Sequence, residues 1–273
     1  MTYELSVLLP TRGRTDALKR SLLSLASLAQ RPEAIELLLA FDEDDTESAT
    51  WCRENILPEL DAIGIGYSLF EYPRLGYIRL NEYVNSLAQH SEGRWLMFWG
   101  DDAVMLTQGW DVKITEVQDF RVLRIPTHNK HPYAIFPILP KAWVDLFGYV
   151  SAHQLSDSWV SQIAYMLDIV QNIDVEVVHD RFDITGNNND DTYKNRPMLE
   201  GNHMRPEDFN HISWRKKRFL DAAKIADYLD SQGQDTTWFK RVKHGTQDPW
   251  EKMTGPIYDP NKHLAKFNGK EYR

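Results

Sequence analysis

The 273-residue chain contains a single cysteine, Cys52, so it cannot form a disulfide bond within itself. The lack of cysteine excludes disulfide-rich secreted scaffolds and cysteine-based zinc sites, and makes a reducing cytoplasm the expected compartment. No apolar run approaches the roughly 20 residues needed to cross a bilayer. The first residues, Met1 to Glu4, lack the basic segment and cleavage site of a signal peptide. We therefore expect a cytoplasmic protein without a transmembrane segment.

Sequence motifs of several common enzyme classes are also missing. No Gly-x-Gly-x-x-Gly follows the first apolar run and no Walker-type loop occurs, which argues against dinucleotide-binding and P-loop folds. The Gly-x-Ser-x-Gly elbow of serine hydrolases is absent as well. The composition is otherwise that of a globular protein, with 42% hydrophobic and 26% charged residues. A chain of this length can bury a large core, as one domain or as a domain with an appendage.

Apolar runs alternate with helical patterns through the first hundred residues. Helical periodicity, as in the spacing of Leu18, Leu22 and Leu25, separates the runs. The order β-α-β-α-β-α-β predicts an α/β fold with a mostly parallel central sheet flanked by helices. The expected strands are residues 5–9, 35–41, 63–72 and 95–99, and the expected helices are residues 18–29, 48–60 and 78–90.

The second half of the chain is less regular. A polar stretch, Asn187 to Asp191, is typical of a loop. The expected strands are residues 121–125, 133–139 and 175–178, and the expected helices are residues 142–147 and 160–167.

The sign of the charge changes near residue 205. The chain has a formal net charge of −9, but residues 1–204 carry 17 basic and 30 acidic residues, whereas residues 205–273 carry 14 and 10. We therefore expect a catalytic domain over 1–204 and a basic, helical or irregular extension over 205–273. Its clusters Trp214–Phe219 and Trp238–His244 mix basic and aromatic residues. This mixture suits a phosphate backbone or an anionic lipid surface, and also a solvated helix that packs its aromatic residues on the main domain.

Polar clusters follow three of the four predicted strands in the first half. They are Pro10-Thr11-Arg12, Asp42 to Asp45, and Asp101-Asp102. In parallel α/β sheets, ligands bind outside the carboxyl ends of the strands. The three clusters should therefore lie along one edge and form a common site.

Asp101, Asp102 and His179 are the candidate metal ligands. Two adjacent carboxylates repel each other unless a cation lies nearby, and hard divalent ions take carboxylate oxygens together with substrate phosphates. An imidazole can join carboxylates around Mn²⁺, and His179 follows a strand that should end on the same side. The alternative is an acidic turn, because Gly100-Asp101-Asp102 is a good turn sequence.

Asp157 is the candidate general base. It stands at the expected start of a helix, where an aspartate can cap the helix, take a proton from an acceptor hydroxyl, or do both. Arg12, Arg14 and Arg79 are candidate partners of a diphosphate, with surface solvation as the alternative for each. Asp42 could accept a hydrogen bond from a nucleobase or a ribose.

The ordered series of these segments resembles the GT-A glycosyltransferases, close to the large family-2 group with its phage and bacterial members. Asp157 stands at the position of the family's catalytic aspartate, and His179 at that of its late metal-binding histidine. Gly100-Asp101-Asp102 replaces the usual Asp-x-Asp motif. The other matching segments are Ser6–Arg12, Ile35–Asp42, Leu75–Asn81, Gly93–Asp102, Ile135–Tyr149 and Asp191–Tyr193.

The resemblance implies a GT-A (Rossmann-like) fold and a metal-dependent enzyme that moves a sugar from a nucleoside diphosphate sugar, with a UDP-sugar expected, to an acceptor hydroxyl with inversion. Asp102 and His179 would hold Mn²⁺ or Mg²⁺, and Asp157 would activate the acceptor. The residues expected to bind the nucleotide sugar are Pro10, Thr11, Arg12, Arg14, Asp42, Arg79 and Asp101.

The resemblance leaves the acceptor and two rival functions open. The basic extension allows a modified base in DNA, as in some phage enzymes, which would place the protein in the host cytoplasm. It equally allows a lipid-linked or surface glycan. The rivals are a nucleotidyltransferase, which also uses paired carboxylates with a metal, and a binding module without catalytic activity.

Overall fold

The apolar runs of the sequence form a seven-stranded sheet in the computed structural model, which describes residues 3–126, 131, 133–187, 194, 207–236 and 239. The strand order is β3-β2-β1-β4-β7-β6-β8, and only β7 runs antiparallel to its neighbours. A second, two-stranded sheet pairs β5 with β9. The strands are β1 Leu5–Pro10, β2 Ile35–Asp42, β3 Gly66–Tyr72, β4 Trp95–Phe98, β5 Ala103–Met105, β6 Val122–Arg124, β7 Ile138–Pro140, β8 Val170–Asn172 and β9 Val177–His179.

Helices cover both faces of the sheet. Val7 and Leu39 pack with Leu22 in one buried cluster, whereas Leu8 packs with Val84 in a second cluster on the opposite face. Burial on both faces explains why the central strands have continuous apolar sequences instead of alternating ones. The helices are α1 Thr15–Leu28, α2 Thr46–Asn55, α3 Leu57–Ile63, α4 Leu80–His90, α5 Trp110–Thr115, α6 Lys141–Phe147, α7 Ser156–Leu167, α8 Phe182–Thr185 and α9 Ile212–Ser231.

The predicted α/β fold with a mostly parallel sheet is confirmed, and the deviations are local. The single helix expected over 48–60 is two helices, with Pro58 in the first turn of the second, where its missing N–H costs nothing. The strand expected over 133–139 is wrong for most of its length, because only Ile138–Pro140 pairs with β4. The strand expected over 175–178 begins two residues later and includes His179.

Helix α9 lies beyond the expected boundary at residue 205 but shares a core with the main sheet. Phe219, Ala222, Ile225 and Leu229 are buried in the same cluster as Leu8 of β1. The Tyr149 hydroxyl also donates a hydrogen bond to Asp221 at 2.8 Å. The aromatic residues of this part of the extension therefore pack on the main domain.

Among the helices that the structure describes, none combines the length and hydrophobicity that crossing a membrane requires.

Candidate functional site

The small sheet brings the acidic doublet and His179 together. In the antiparallel pair β5–β9, Ala103 lies opposite His179, so the residue before β5 is next to the end of β9. The backbone N–H of Asp180 donates to the carbonyl of Asp102 at 2.6 Å, and His179 Nε2 lies 3.4 Å from Asp102 Oδ1. Residues almost eighty positions apart therefore meet at the carboxyl edge of the main sheet.

Asp101 is held by the loop that follows β1. The Thr11 hydroxyl donates to its Oδ2 at 2.8 Å, and Arg14 donates to its Oδ1 at 3.0 Å. Burial raises the pKa of Asp101 to about 6, against the opposing charge of Arg14. Both oxygens of Asp101 thus have protein partners.

Asp102 faces His179, whose Nε2 lies 3.4 Å from its Oδ1. Burial alone would raise its pKa, but the hydrogen bond and charge of His179, together with Arg14, outweigh burial and lower it. A Cβ atom on residue 100 would lie 2.7 Å from Asp102 Oδ1, so a larger residue in place of Gly100 would push this carboxylate out of its position. The lowered pKa favours the ionised form of Asp102.

An aromatic pair supports the imidazole of His179. The Phe136 ring meets the imidazole edge to face at 5.0 Å between centroids, and Trp99 lies 4.8 Å from Phe136 on its other side. The Trp99 indole donates to the Ser21 hydroxyl, which in turn donates to the carbonyl of Gly100. This chain of contacts fixes the strand end that carries the acidic doublet.

A second polar group surrounds Asp42 at the end of β2. Arg12 donates to Asp42 Oδ2 at 2.8 Å and also pairs with Asp44 through both guanidinium nitrogens. The Tyr83 hydroxyl donates to Asp42 Oδ1 and accepts the N–H of Leu75 at 2.8 Å. Burial, followed by the bond to Asp42, raises the pKa of Tyr83 to about 12, so the phenol keeps its proton. A rigid polar subsite thus adjoins the doublet.

Asp157 lies in the first turn of α7, not at the capping position. Leu155 is the N-terminal cap and makes no side-chain bond, while Asp157 Oδ1 accepts the N–H of Ser158 at 2.7 Å. Burial raises the pKa of Asp157, and the bonds from Ser158 and the charges of Arg181 and His179 only partly offset it. This carboxylate is therefore a stronger base than an ordinary aspartate and lies within electrostatic reach of His179.

Asp180 ties the segment after β9 to α1. Arg20 donates to its Oδ2 at 3.0 Å, and Thr185 and Asn187 donate to its Oδ1 at 2.6 and 2.8 Å. Through these bonds the segment that carries His179 is anchored on α1, the helix that begins after the loop following β1.

Most of the candidate residues lie in the group around the acidic doublet or in the group around Asp42, but Arg79 lies in neither. It is half-exposed and pairs with Glu82 one turn along α4. Pro10 closes β1 in register with Ala40. The segment Asp191–Tyr193 lies outside the described residues, as does the basic cluster Trp238–His244 apart from Phe239.

Three contributors were not predicted from the sequence. Tyr83 was part of an expected helix, Phe136 part of an expected strand, and Asp180 only the residue after His179. Their roles depend on contacts with residues far away in the chain. No local pattern signals such contacts, although an aspartate directly after the candidate ligand His179 could have pointed to Asp180.

The residues around Asp102 fit a divalent cation bound together with a phosphate ligand. In the described part of the chain, no three His, Cys, Asp or Glu side chains are grouped as ligands. Asp102 and His179 form a pair, and carboxylate with imidazole is a donor set that suits Mn²⁺. Mg²⁺ is commonly bound by one or two carboxylates plus substrate phosphates, so two protein ligands are enough.

Solved structures share this architecture. The mannosyltransferase PcManGT from Pyrobaculum calidifontis, solved with GDP-Man and Mn²⁺, aligns with a TM-score of 0.51 and 11% identity over 100% of this chain and 89% of its own. S. aureus TarS aligns with a TM-score of 0.50 and 13% identity over 93% of this chain. The chain has a GT-A fold.

The GT-A fold here occupies only part of one relative. The match spans 46% of TarS, and a TarS fragment solved with UDP aligns at 16% identity and a TM-score of 0.45 over 65% of this chain and 58% of its own. No protein-family model and no curated protein sequence matches the chain. The shared feature at these identities is the fold.

Proposed function

We propose that this protein is a glycosyltransferase that uses a nucleoside diphosphate sugar and a divalent cation. One observation carries the proposal: Asp102, His179 and Arg14 converge at the carboxyl edge of a GT-A sheet, beside the separate polar subsite at Asp42. The first group suits a cation and a diphosphate, and the second suits a nucleoside. The structure of PcManGT, which was solved with GDP-Man and Mn²⁺, supports a nucleoside diphosphate sugar and a divalent cation as the ligands.

Each side chain has a role in the proposed reaction. Arg14 neutralises diphosphate oxygens, and Asp42 accepts a hydrogen bond from the nucleoside. Asp102 and His179 hold the cation, which when bound lowers the cost of negative charge on the leaving diphosphate. Asp157 takes the proton of the acceptor hydroxyl as its oxygen bonds to the anomeric carbon. The bond from that carbon to the diphosphate breaks, and the nucleoside diphosphate leaves with the electron pair.

A thermal-shift panel tests the donor assignment. UDP-sugars and GDP-sugars are added with Mn²⁺ and with chelator, because a ligand that binds only the folded state raises the melting temperature. We expect a shift from at least one donor with Mn²⁺, lost in the chelator and in Asp102→Asn. Asp145→Asn, which changes an exposed aspartate on α6, is the control and should keep the shift. A flat panel would contradict the proposal.

The released product separates the proposal from the two alternatives. A glycosyltransferase releases the nucleoside diphosphate, a nucleotidyltransferase releases pyrophosphate, and a binding module releases neither. We expect slow, Mn²⁺-dependent release of UDP or GDP from the donor that gives a thermal shift, with water as acceptor. Release of pyrophosphate would show that the protein is a nucleotidyltransferase and not a glycosyltransferase.

A nucleic-acid acceptor stays a prediction from the basic extension. One of its two clusters lies in α9, where Phe219 is buried and unavailable to a ligand. If DNA is the acceptor, the full chain should bind duplex DNA at low salt, with an affinity that falls steeply as salt rises. Absence of binding at low salt would remove DNA from the proposal.

A further inference from the structure

Arg14 lies where a cation between the two carboxylates would lie. Its Nη1 is 3.0 Å from Asp101 Oδ1 and 3.7 Å from Asp102 Oδ2, and its side chain is 12% exposed. The residue precedes the first turn of α1, where its carbonyl accepts the N–H of Leu18 at 2.8 Å, so its backbone is fixed. The guanidinium thus neutralises the acidic doublet from within the protein.

A divalent ion on Asp102 has to compete with this guanidinium. Two cations that share one buried carboxylate pair repel each other, and the repulsion is strong because little water screens it. Asp102 and His179 alone provide only two ligands. Without a further anion, the site should therefore hold a divalent ion weakly.

A diphosphate removes the competition. Its oxygens offer Arg14 a charge-assisted, bidentate partner and at the same time complete the ligand set of the cation. Asp101 does not lose all its partners when Arg14 turns away, because Thr11 still donates to Oδ2 at 2.8 Å. The other oxygen, Oδ1, loses the bond from Arg14, and the incoming cation then neutralises it in place of the guanidinium.

We propose that Arg14 is an internal counter-cation that makes divalent-cation binding depend on the donor diphosphate. The inference rests on the proposed function for the identity of the anion. Metal and nucleotide then bind with positive coupling, and each raises the affinity for the other by the same factor. The protein acquires its cation together with the donor.

The test measures Mn²⁺ binding to the full chain by electron paramagnetic resonance of free Mn²⁺, with Mn²⁺ alone and with UDP or GDP added. The Mn²⁺ that the nucleotide binds by itself is measured in samples without protein and subtracted. In the unaltered protein, we expect nucleotide to raise the Mn²⁺ affinity about tenfold. Arg14→Gln should raise the affinity for Mn²⁺ alone by a similar factor and shrink the coupling. Arg14→Lys, which keeps a cation at this position, should leave binding of Mn²⁺ alone weak.

Lys19→Gln is the matched control, because it removes a cation of α1 that pairs with Glu59 at 2.7 Å and not with the doublet. It should change the affinity for Mn²⁺ alone much less than Arg14→Gln does. Equal Mn²⁺ affinity with and without nucleotide in the unaltered protein would overturn the inference, as would unchanged affinity for Mn²⁺ alone in Arg14→Gln. If Arg14→Gln does not fold, two other measurements test the inference: the effect of nucleotide on Mn²⁺ affinity in the unaltered protein, and the affinity of Arg14→Lys for Mn²⁺ alone.

The two proposals fail in different ways. If neither UDP nor GDP binds under any condition, the proposed function is wrong. The arm with Mn²⁺ alone still compares Arg14→Gln with the unaltered protein, and so still decides whether Arg14 competes with the cation.

Discussion

Burial of the Asp157 carboxylate has opposite effects on the proposed reaction and on the stability of the fold. Its carboxylate is partly buried at the start of α7, and Ser158 is the donor the structure gives it. Burial raises its pKa, so the carboxylate is a better proton acceptor, and keeping it ionised in the folded protein costs free energy. The same desolvation therefore favours the proposed catalytic step and disfavours the folded state.

Asp157→Asn should abolish sugar transfer while the donor still binds. Loss of a general base typically costs about 100-fold or more in rate. The measurement is the turnover number with the donor identified by thermal shift, next to the nucleotide affinity of the same variant. Asp145→Asn serves as the control with unchanged turnover. An Asp157→Asn enzyme with normal turnover would remove this residue from the mechanism.

The raised pKa of Asp157 also predicts a pH-dependent stability difference. The folded protein holds the proton of this carboxyl more tightly than the unfolded chain does, so ionisation costs stability above the folded-state pKa. The cost disappears as pH falls through the raised pKa toward the ordinary value. Asp157→Asn should therefore melt at a higher temperature than the unaltered protein at pH 8, and the difference should shrink in acid. A difference that grows in acid would mean that the pKa is lowered, not raised.

At the scale of elements, Asp180 anchors the segment that carries His179. It accepts hydrogen bonds from Arg20, Thr185 and Asn187, which join α1 to the chain around α8. Hydrogen bonds to a charged group contribute about 1.5–3 kcal/mol each where they are well formed. This carboxylate therefore helps to hold residues 180–187 close to the acidic doublet, beside the backbone bond from Asp180 to Asp102.

Asp180→Ala should loosen this segment without unfolding the protein. We expect amide hydrogen exchange to accelerate about tenfold or more in residues 180–187 and to stay unchanged in β1 and β2. Mn²⁺ binding in the presence of nucleotide should weaken, because His179 loses its fixed position. Asp174→Ala, at an aspartate that is 99% exposed, is the control. Unchanged exchange in residues 180–187 would show that the anchor lies elsewhere.

The elements near the site differ in how well the sequence predicts them. Strands β1, β2 and β4 are continuous apolar runs that end in polar clusters, so both their existence and the convergence of their ends follow from the pattern. Strands β5 and β8 have three residues each, too short for any periodicity, and they were not predicted. The pairing of Asp102 with His179 depends on β5, although the expected strand before His179 already predicted that the two residues lie at the same edge.

The contacts that organise the site could not be predicted in the same way. Arg14 was expected to bind a diphosphate, but its position against Asp101 and Asp102 depends on how α1 leaves β1. Tyr83 reaches Asp42 across the packing of α4 on β2. Such contacts depend on tertiary packing, which hydrophobic periodicity constrains only loosely.

At the scale of the whole molecule, α9 and the main sheet share one hydrophobic cluster, which predicts a single cooperative unit. Phe219 is 4% exposed within that cluster, whereas its neighbour Leu220 is 58% exposed. Phe219→Ala should therefore lower the free energy of unfolding by about 3–5 kcal/mol. Leu220→Ala should change it by less than about 0.5 kcal/mol.

Chemical denaturation followed by fluorescence and by circular dichroism measures both variants. Coincident transitions from the two probes are expected, because the extension and the main domain unfold together. Two separate transitions, with Phe219→Ala affecting only the minor one, would instead support an independent unit beyond residue 205.

The central claim is that Asp102 and His179 hold a divalent cation against a donor diphosphate. The most direct measurement is a crystal structure of the full chain grown with Mn²⁺ and UDP or GDP, in which anomalous scattering locates the manganese. The account predicts one anomalous peak bonded to both the Asp102 carboxylate and His179 Nε2, with the diphosphate completing its ligands and Arg14 turned toward the phosphate oxygens. A nucleotide bound elsewhere, or a manganese peak that touches neither residue, would contradict it.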